Sequence, residues 1–562
     1  MKVNMKSILA LLLAAILVLS MSACASKPAE PVKEDAPATT EQTQNEQQPE
    51  EKSAEEMPAE QTSETPDAER YGGTLDLVWM ECNDTMDPQY TTGWASYFWS
   101  MYVYENPLVR DADGVVRPNV CEYELSDDGL TLKLWVREGM TFHDGSPVEI
   151  EDVVASLERA GHLVKNVRTN FTERIASCEV EDGVVTYTFT DYLPLTMHYI
   201  SSDQNWAAIL PKEICEKYAD SPINNVEDAI GTGPYYLDSY ESNVCYHMKR
   251  YDGYKPIDAE YSGMAAPKMA YMDNINVWIN FDSTSIAMSV LSGDYDMYTI
   301  NPEYYPEAST RGLVQWSDMQ YNILPLFFNT KGERPVNDIN LRKAIAAALD
   351  FEEVAGVEFP EAYMMSSNPM SGDIYATDVF ESADWYGKSN PELAKEYLDK
   401  SDYDGQELVI LIDKNNNSVC QTLMESQLEA VGINVRLEYM DSNAAKEFYG
   451  DPMNEYDMFL QNYVVNSFTP VSISATAKNT FWGNEQKDEY FNELKTTVPG
   501  SPECLEIWNK LAELWVEDAA VVNLATITYQ WTVPEDLVIQ MEGHTWRYFW
   551  NCYWKNPSEH MD

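Results

Sequence analysis

Few of the residues in this chain that could do chemistry are spaced for catalysis or for binding a metal. The histidines form no H-E-x-x-H motif and no close pair; they are His143, His162, His198, His247, His544 and His560. No C-x-x-C, G-x-S-x-G, Walker loop or G-x-G-x-x-G occurs either. These absences predict that the protein is not an enzyme and holds neither a metal nor a cofactor.

The cysteines carry no readable disulfide pattern. Eight of them follow Cys24, and because eight cysteines allow 105 pairings, their spacing selects none. Disulfides are permitted outside the membrane, and buried free thiols are the favoured alternative.

Aromatic and amide side chains at two places could bind a solute by stacking and hydrogen bonding. Trp79, Trp94 and Tyr97 lie at or just after the end of the first predicted strand. A second set follows the last predicted strand of a later region: Asn462, Tyr463, Asn466 and Trp482. Aromatic faces stack on sugar rings, cover apolar side chains or attract cations. Packing in a core is the alternative for the aromatic residues, and capping of a loop is the alternative for Asn466.

Strands and helices must position these side chains, and the later region predicts a parallel sheet. Leu408 to Ile412 is a continuous apolar run, Ser418 to Val431 reads as a helix, and Ile433 to Tyr439 alternates in polarity. Strand, helix and strand in this order form a βαβ unit. Because ligands of open α/β sheets lie beyond the carboxyl ends of the strands, the loops at 413–417 and 462–468 are predicted to face a cleft.

The first part of the chain predicts antiparallel strands with short helices. The run from Leu75 to Trp79 reads as a buried strand, and Asp182-Gly183 predicts a hairpin turn. Glu151 to Ala160 has a helical apolar face, which Gly161 is expected to end.

Composition excludes one class of partner. The chain has 562 residues, a formal net charge of −56 and a pI near 4.2. Binding to nucleic acid needs a basic surface, so no nucleic-acid partner is expected. An apolar content of 44% is that of a globular protein.

The first 69 residues predict export and anchoring. Lys2 and Lys6 precede an apolar run of twelve residues, which suits a secretory signal and is too short to span a bilayer. The run Ser20-Met21-Ser22-Ala23-Cys24 resembles a bacterial lipobox, which implies a signal peptide over 1–23 and lipidation of Cys24. Residues 25–69 hold no aromatic residue and carry about −10, so 24–69 are predicted to be a disordered tether. Since the two leader lysines add +2, residues 70–562 carry −48.

Several runs resemble extracellular solute-binding protein family 5, the peptide/nickel class of ABC importers. The first runs are Tyr71-Gly-Gly-Thr-Leu75, Asp87-Pro88 and Tyr104-Glu-Asn-Pro-Leu-Val109. The signature segment is Ser126-Asp-Asp-Gly-Leu130, Thr141-Phe-His-Asp-Gly-Ser-Pro147, Glu151-Asp-Val-Val154 and Ser156-Leu-Glu-Arg159. Further runs are Gly231-Thr-Gly-Pro-Tyr235, Phe328-Asn-Thr330, Leu341-Arg-Lys-Ala344, Ala430-Val-Gly-Ile-Asn-Val435 and Tyr456-Asp-Met458. The ordered set covers about residues 71–540.

The resemblance implies an α/β fold with two lobes, similar to type II, cluster C periplasmic binding proteins. Lobe I would be discontinuous, with 70–322 and a return segment over 525–562, and lobe II would span 323–524. Hinge strands would join the lobes, which close on the ligand. The implied partners are a peptide or other small solute, the ABC permease and ATPase subunits, and the membrane through the lipid anchor. We expect a monomer on the extracellular face of the bacterial cell membrane, or in the periplasm where an outer membrane is present.

The ligand is less closely specified. Peptide-binding members carry a W-x-x-D-Y-P-D-P-like run whose Asp pairs with the α-ammonium of the ligand. The matching stretch, from Gln461 to Pro470, holds no acidic residue, and Asn466 or Ser467 stands near the position of the Asp. Peptides are the first prediction and oligosaccharides the second, and metal chelates come third. An anchored hydrolase and a solute sensor are the alternatives from other classes.

Overall fold

The computed structural model describes residues 69–80, 85–90, 94–191, 194–202, 204–360, 363–364, 375, 377–413, 420–440, 442–451, 453–460, 463–464, 482–498, 500–541 and 548–561. The predicted signal peptide, Cys24, and most of the predicted tether lie outside these residues. Asn462 and Asn466 also lie outside them.

The first half of the described residues consists mainly of antiparallel strands with short helices between groups of them. The strands of that half are Thr74–Trp79 (β1), Leu108–Arg110 (β2), Val116–Pro118 (β3), Cys121–Leu125 (β4), Thr131–Val136 (β5), Ile175–Glu181 (β6), Val184–Phe189 (β7), Tyr235–Glu241 (β8), Cys245–Arg250 (β9) and Asn274–Ile279 (β10). Its helices are Trp94–Val103 (α1), Ile150–Leu163 (α2), Lys165–Asn170 (α3), Pro194–Ile200 (α4), Lys212–Lys217 (α5), Ser283–Ser292 (α6) and Tyr305–Thr310 (α7).

The second half contains two long strands and most of the longer helices. Its strands are Leu313–Phe328 (β11), Tyr363–Met364 (β12), Leu408–Asp413 (β13), Val435–Met440 (β14), Met458–Leu460 (β15), Tyr463–Val464 (β16), Val521–Pro534 (β17), Leu537–Val538 (β18) and Tyr553–Trp554 (β19). Its helices are Ile339–Ala348 (α8), Phe351–Glu358 (α9), Pro391–Leu398 (α10), Gln421–Ala430 (α11), Ser442–Gly450 (α12), Glu485–Leu494 (α13) and Pro502–Asp518 (α14).

Lobe I is built on the sheet β1–β10–β9–β8, in which β1 and β10 are parallel and the other pairs are antiparallel. Leu75 and Leu77 of β1 point to one face and are buried in the core of lobe I, and Asp76 lies on the other face. Alternation of this kind is what a strand with two different faces requires. The predicted first strand is confirmed.

A second antiparallel sheet of lobe I has the order β4–β5–β7–β6. Asp182 and Gly183 join β6 to β7 with φ angles of 50° and 76°, which is the left-handed turn predicted from their types. The helix expected to end at Gly161 instead continues to Leu163. Gly161 is buried where a Cβ would come within 2.3 Å of the Thr172 side chain, so it allows close packing and does not end the helix.

Lobe II is built on the sheet β12–β17–β11–β15–β13–β14. Strand β13 is parallel to both β14 and β15, and α11 connects β13 to β14. Gly432 follows α11 with a φ of 93°, the left-handed conformation that commonly ends a helix. The predicted βαβ unit is confirmed.

Two long antiparallel strands, β11 and β17, join the lobes. Trp531 and Val533 of β17 lie in the core of lobe I, whereas Val522, Leu524 and Ile527 of the same strand lie in the core of lobe II. On β11, Trp316 packs against the first core and Leu324 lies in the second. The pairing of the strands shifts register between residues 318 and 322. Such irregularities bend and twist a sheet, and this one lies between the two cores.

Candidate functional site

The carboxyl edge of the lobe I sheet ends in aromatic side chains. Trp79 is the last residue of β1 and pairs with Ile279 of β10. The Trp79 ring stacks on Phe98 of α1 with a centroid distance of 4.3 Å. Among the described residues its indole N–H has no hydrogen-bond partner. The stack with Phe98 therefore fixes the Trp79 ring at this edge of the sheet, with its indole N–H buried.

Phe281 is a candidate that the sequence analysis missed. It follows β10 by two residues, and its side chain is 61% exposed. Asn280 holds it beside β1, because the Asn280 N–H donates to the Trp79 carbonyl at 3.0 Å. Asp282 caps α6 by accepting from the Ser285 N–H at 2.6 Å. An exposed aromatic on a fixed turn is suited to contacting a ligand. The signal in the sequence was a phenylalanine between the end of an alternating strand and a capping aspartate.

The other two lobe I candidates lie at the start of α1. Trp94 and Tyr97 are in the first turn of this helix, whose later residues Phe98 and Trp99 are buried in the lobe I core. The side chains of Trp94 and Tyr97 are outside the described part, so their roles stay predictions.

The carboxyl ends of the lobe II strands meet beside the long strand β11. Strands β13 and β15 are parallel and end together, with Ile412 beside Leu460. Tyr463 then pairs with Ile323, and Val464 pairs with Asn322, at the register shift of β11. The backbone of Tyr463 thus lies where the chain passes between the two cores. Its neighbours Asn462 and Asn466 are outside the described residues.

Trp482 lies in a hydrophobic cluster of lobe II, where its side chain is only 4% exposed. Its indole N–H donates to Asp518 Oδ2 at 2.7 Å, and its ring lies 5.8 Å from that of Trp515. Asn484 donates to the same Asp518 oxygen at 2.8 Å. These contacts give Trp482 a packing role in this structure, and its predicted contact with ligand stays a prediction.

The runs that carry the resemblance come together in lobe I. His143 Nδ1 accepts from the Gly231 N–H at 3.2 Å, and His143 Nε2 lies 3.0 Å from the Gly233 carbonyl. Both glycines press against the end of α1, where a Cβ on Gly231 would lie 2.1 Å from the Val103 carbonyl oxygen. Burial lowers the pKa of His143 to about 4. The imidazole is therefore neutral, with its proton on Nε2.

Two buried ion pairs fix the loops around this junction. Lys268 Nζ lies 2.5 Å from Glu105 Oε1, and Thr232 donates to Glu105 Oε2 at 3.1 Å. Arg159 donates to both carboxylate oxygens of Asp87, and its Nη1 also donates to Gln89 Oε1 at 2.9 Å. Because buried charges are tolerated only when they are paired and hydrogen-bonded, each pair holds its segments in one arrangement.

One pocket in the described part of the chain lies away from all of the predicted site residues. It encloses about 420 Å³ between α2, α3 and the β6–β7 hairpin. Leu157, Phe171, Cys178 and Tyr187 are among the residues that line it.

The described residues were predicted to hold free thiols and no metal site, and their side chains are arranged as follows. No group of three His, Cys, Asp or Glu side chains there could hold a metal ion. Seven cysteines of this part are free, and Cys178 alone among them is exposed. No helix in these ranges is long and apolar enough to cross a bilayer.

Comparison with known families decides the class of protein. The model of "Bacterial extracellular solute-binding proteins, family 5 Middle" matches residues 115–485. This chain belongs to that family. The family consists of solute-binding proteins of ABC transporters and not of enzymes. The predicted family and the predicted α/β fold with two lobes are confirmed.

Individual relatives have low sequence identity to this chain, but the match extends over most of their length. The chain is 22% identical over 441 residues to the probable peptide ABC transporter periplasmic-binding protein y4tO of Sinorhizobium fredii, covering 73% of this chain and 80% of the relative. The crystal structure of the ABC transporter substrate-binding protein CtaP from Listeria monocytogenes has a TM-score of 0.72 at 20% identity, covering 86% of this chain and 99% of that one. DppA from Helicobacter pylori, in complex with the peptide STSA, has a TM-score of 0.67 at 18% identity, covering 87% and 99%.

Proposed function

We propose that this chain is the substrate-binding component of a bacterial ABC importer and that it captures peptides between its two lobes. The observation that carries the proposal is the pair β11 and β17, because each strand contributes side chains to both cores. Lobes joined in this way can open and close about the strands, and a ligand that contacts both lobes favours the closed form. The names of y4tO and of the DppA complex support peptide as the solute class.

The proposed ligand lies between the carboxyl edge of the lobe I sheet and the carboxyl ends of β13 and β15. Trp79, Trp94, Tyr97 and Phe281 would contact it from lobe I, and Asn462, Tyr463, Asn466 and Trp482 from lobe II. We propose lobe I at 70–322 and 525–562 and lobe II at 323–524, with β17 crossing between them so that Ile527 still packs in the core of lobe II. The closed, loaded monomer would deliver its peptide to the permease, and the ATPase subunits would drive import.

A lipid on Cys24 is the proposed anchor on the outer face of the cell membrane, with residues 24–69 as the tether. Stable anchoring needs more than one acyl chain, which a bacterial lipoprotein cysteine supplies. Replacing Cys24 with Ser should move the protein from the membrane fraction to the medium or periplasm. Retention of Cys24→Ser in the membrane fraction would contradict the proposed anchor.

Oligosaccharide is the second candidate, because the stretch from Gln461 to Pro470 has no carboxylate to pair with a peptide ammonium. Calorimetry on the purified protein with di- to pentapeptides and with oligosaccharides would separate the two. Mass spectrometry of the solutes recovered afterwards tests for turnover. We expect binding of one peptide per chain and its recovery uncut. Binding of glycans alone would support the second candidate, and cleavage of the solute would indicate a hydrolase. A deletion strain that still imports the bound peptide would favour a sensor.

A further inference from the structure

The pocket between α2, α3 and the β6–β7 hairpin has the size of a site for a small molecule. It encloses about 420 Å³, and pockets that bind small molecules commonly enclose about 300–1,000 Å³. Its wall belongs to a hydrophobic core of lobe I, in which Leu157, Phe171 and Tyr187 are buried and against which Ile175 packs. None of the residues proposed above to contact peptide lines this pocket.

A close helix contact and a bulge in β6 shape the pocket. Because Gly161 has no side chain, α2 can approach Thr172, whose side chain a Cβ at this position would meet at 2.3 Å. The pairing of β6 with β7 shifts register just after Ile175, and a bulge of this kind bends a strand and redirects its side chains. Cys178 follows the bulge and pairs with Tyr187, so both side chains lie on the face of the hairpin that lines the pocket.

Polar groups gather on the side of the pocket that the hairpin forms. The Tyr187 hydroxyl is buried and forms no well-directed hydrogen bond within the described residues, with the Cys178 thiol as its polar neighbour. Glu158, on α2, also lines the pocket and acts electrostatically on both of these side chains. A carboxylate, a thiol and a hydroxyl therefore lie near one another beside an apolar wall.

The charged side chains of the lining leave two carboxylates without a cation. Glu158 and Glu173 are exposed, and neither forms an ion pair within the described part of the chain. The two basic residues of the lining are engaged elsewhere. Arg168 Nη1 donates to the His162 carbonyl at 3.0 Å, and His162 Nε2 lies 2.7 Å from Asp220 Oδ1. Negative charge at the pocket is therefore available to a bound cation.

We propose that this pocket is a second binding site of the protein, for a small organic cation that carries an ammonium group on an apolar body. The ammonium would lie beside Glu158 and donate to the Tyr187 hydroxyl oxygen, while the apolar body would cover Leu157 and Phe171. The aromatic faces of Phe171 and Tyr187 add attraction for a cation. The site lies outside the proposed peptide cleft, so its occupation does not depend on which solute the cleft holds.

Three probes test the two halves of this recognition on the full chain. 2-Phenylethylammonium has the charge and the apolar ring, 2-phenylethanol lacks the charge, and ethylammonium lacks the ring. Calorimetry measures binding, and alkylation of Cys178 by iodoacetamide reports whether the probe is in the pocket. Cys178 is exposed whereas the other six free cysteines of the described residues are buried. Peptide mass spectrometry then gives the rate at Cys178 itself, with and without each probe.

Two variants separate the pocket from the general acidity of the surface. Glu158→Gln removes the carboxylate beside Tyr187. Glu179→Gln is the matched control, because Glu179 is exposed, adjoins Cys178 and lies on the opposite face of β6. Either change could alter the reactivity of the thiol directly, so protection is expressed within each variant as the ratio of the rates without and with the probe.

We expect saturating 2-phenylethylammonium to slow alkylation of Cys178 at least tenfold, and neither other probe to do so at the same concentration. Glu158→Gln should weaken binding at least tenfold, and Glu179→Gln should leave it unchanged. The proposal fails if 2-phenylethylammonium does not protect Cys178, if all three probes protect it equally, or if the two variants lose the same affinity. A peptide that binds in the cleft should not protect Cys178, and absence of peptide binding would end the proposed function and leave these results unchanged.

Discussion

Tyr463, three residues after the last parallel strand of lobe II, pairs with Ile323 of β11, the long strand that connects the two cores. The pairing occurs at the register shift of β11, between the part of that strand packed on lobe I and the part buried in lobe II. The backbone of Tyr463 is therefore held close to the place where β11 passes from one core to the other. A ligand that contacts Tyr463 would be sensitive to small changes in the angle between the lobes.

A negative charge in the predicted cleft loop at 462–468 should raise the affinity for peptides. Asn466→Asp should raise affinity for a peptide with a free α-amine by about tenfold, because charge-assisted hydrogen bonds are roughly twice as strong as neutral ones. The same peptide with an acetylated N-terminus is the control and should not gain. Calorimetry of both peptides checks this, and an equal gain for both would exclude recognition of the ammonium at residue 466.

Phe281 should contribute apolar contact to the ligand. Phe281→Ala should weaken binding of peptides with large apolar side chains by about tenfold, or about 1.4 kcal/mol, with little effect on glycine-rich peptides. Met453→Ala removes another exposed apolar side chain, on lobe II, and should change neither. Unaltered affinity of Phe281→Ala for every peptide that the wild type binds would remove Phe281 from the site.

Breaking the buried ion pair of Arg159 and Asp87 should lower the free energy of unfolding far more than breaking an exposed ion pair. Arg159→Ala should lower the free energy of unfolding by about 3–5 kcal/mol, because it leaves the Asp87 carboxylate buried and unpaired. Lys133→Ala breaks an exposed pair with Glu124 and should cost less than about 1 kcal/mol. Urea denaturation measures both, and similar costs for the two would contradict this account.

His143 should make lobe I sensitive to acid. Its pKa in the folded protein is about 4, below the ordinary value of about 6.5, so the unfolded chain binds the proton more tightly. Stability should therefore be lost as pH falls from about 6.5 to 4, with at most about 3 kcal/mol from this residue. His143→Gln retains one acceptor and one donor and should flatten that part of the pH profile.

The control for this acid effect is His162→Gln, because His162 is exposed and pairs with Asp220. Its unfolding profile between pH 4 and pH 6.5 should match that of the wild type. A His143→Gln profile that also matches would show that other groups account for the acid sensitivity.

Local patterns predicted those parts of the fold that local forces decide. The βαβ unit around Gly432 and the turn at Asp182-Gly183 depend on periodicity and on left-handed residues, and both were found where predicted. Gly161 was misread because its role is set by Thr172, a contact that no pattern within α2 contains.

The candidate site was predicted less completely than the fold. Distance along the chain from a strand end does not show whether an aromatic ring turns into a core, as Trp482 does. It also gave no reason to choose Phe281, whose exposure depends on the turn fixed by Asn280 and Asp282. The partners of the buried acids Asp87 and Glu105, which are Arg159 and Lys268, come from distant segments, so sequence spacing could not pair them.

The first strand of the fold, β1, is hydrogen-bonded to residues at the end of the described chain. The Thr74 N–H donates to the His560 carbonyl at 2.7 Å, and the Trp554 indole donates to the Thr74 carbonyl at 2.8 Å. Trp550 and Trp554 also fill the core around β1. During synthesis, lobe I therefore cannot complete its fold until some 480 residues after Thr74 have left the ribosome. A nascent polypeptide that stays incomplete for so long is well suited to translocation in an unfolded state.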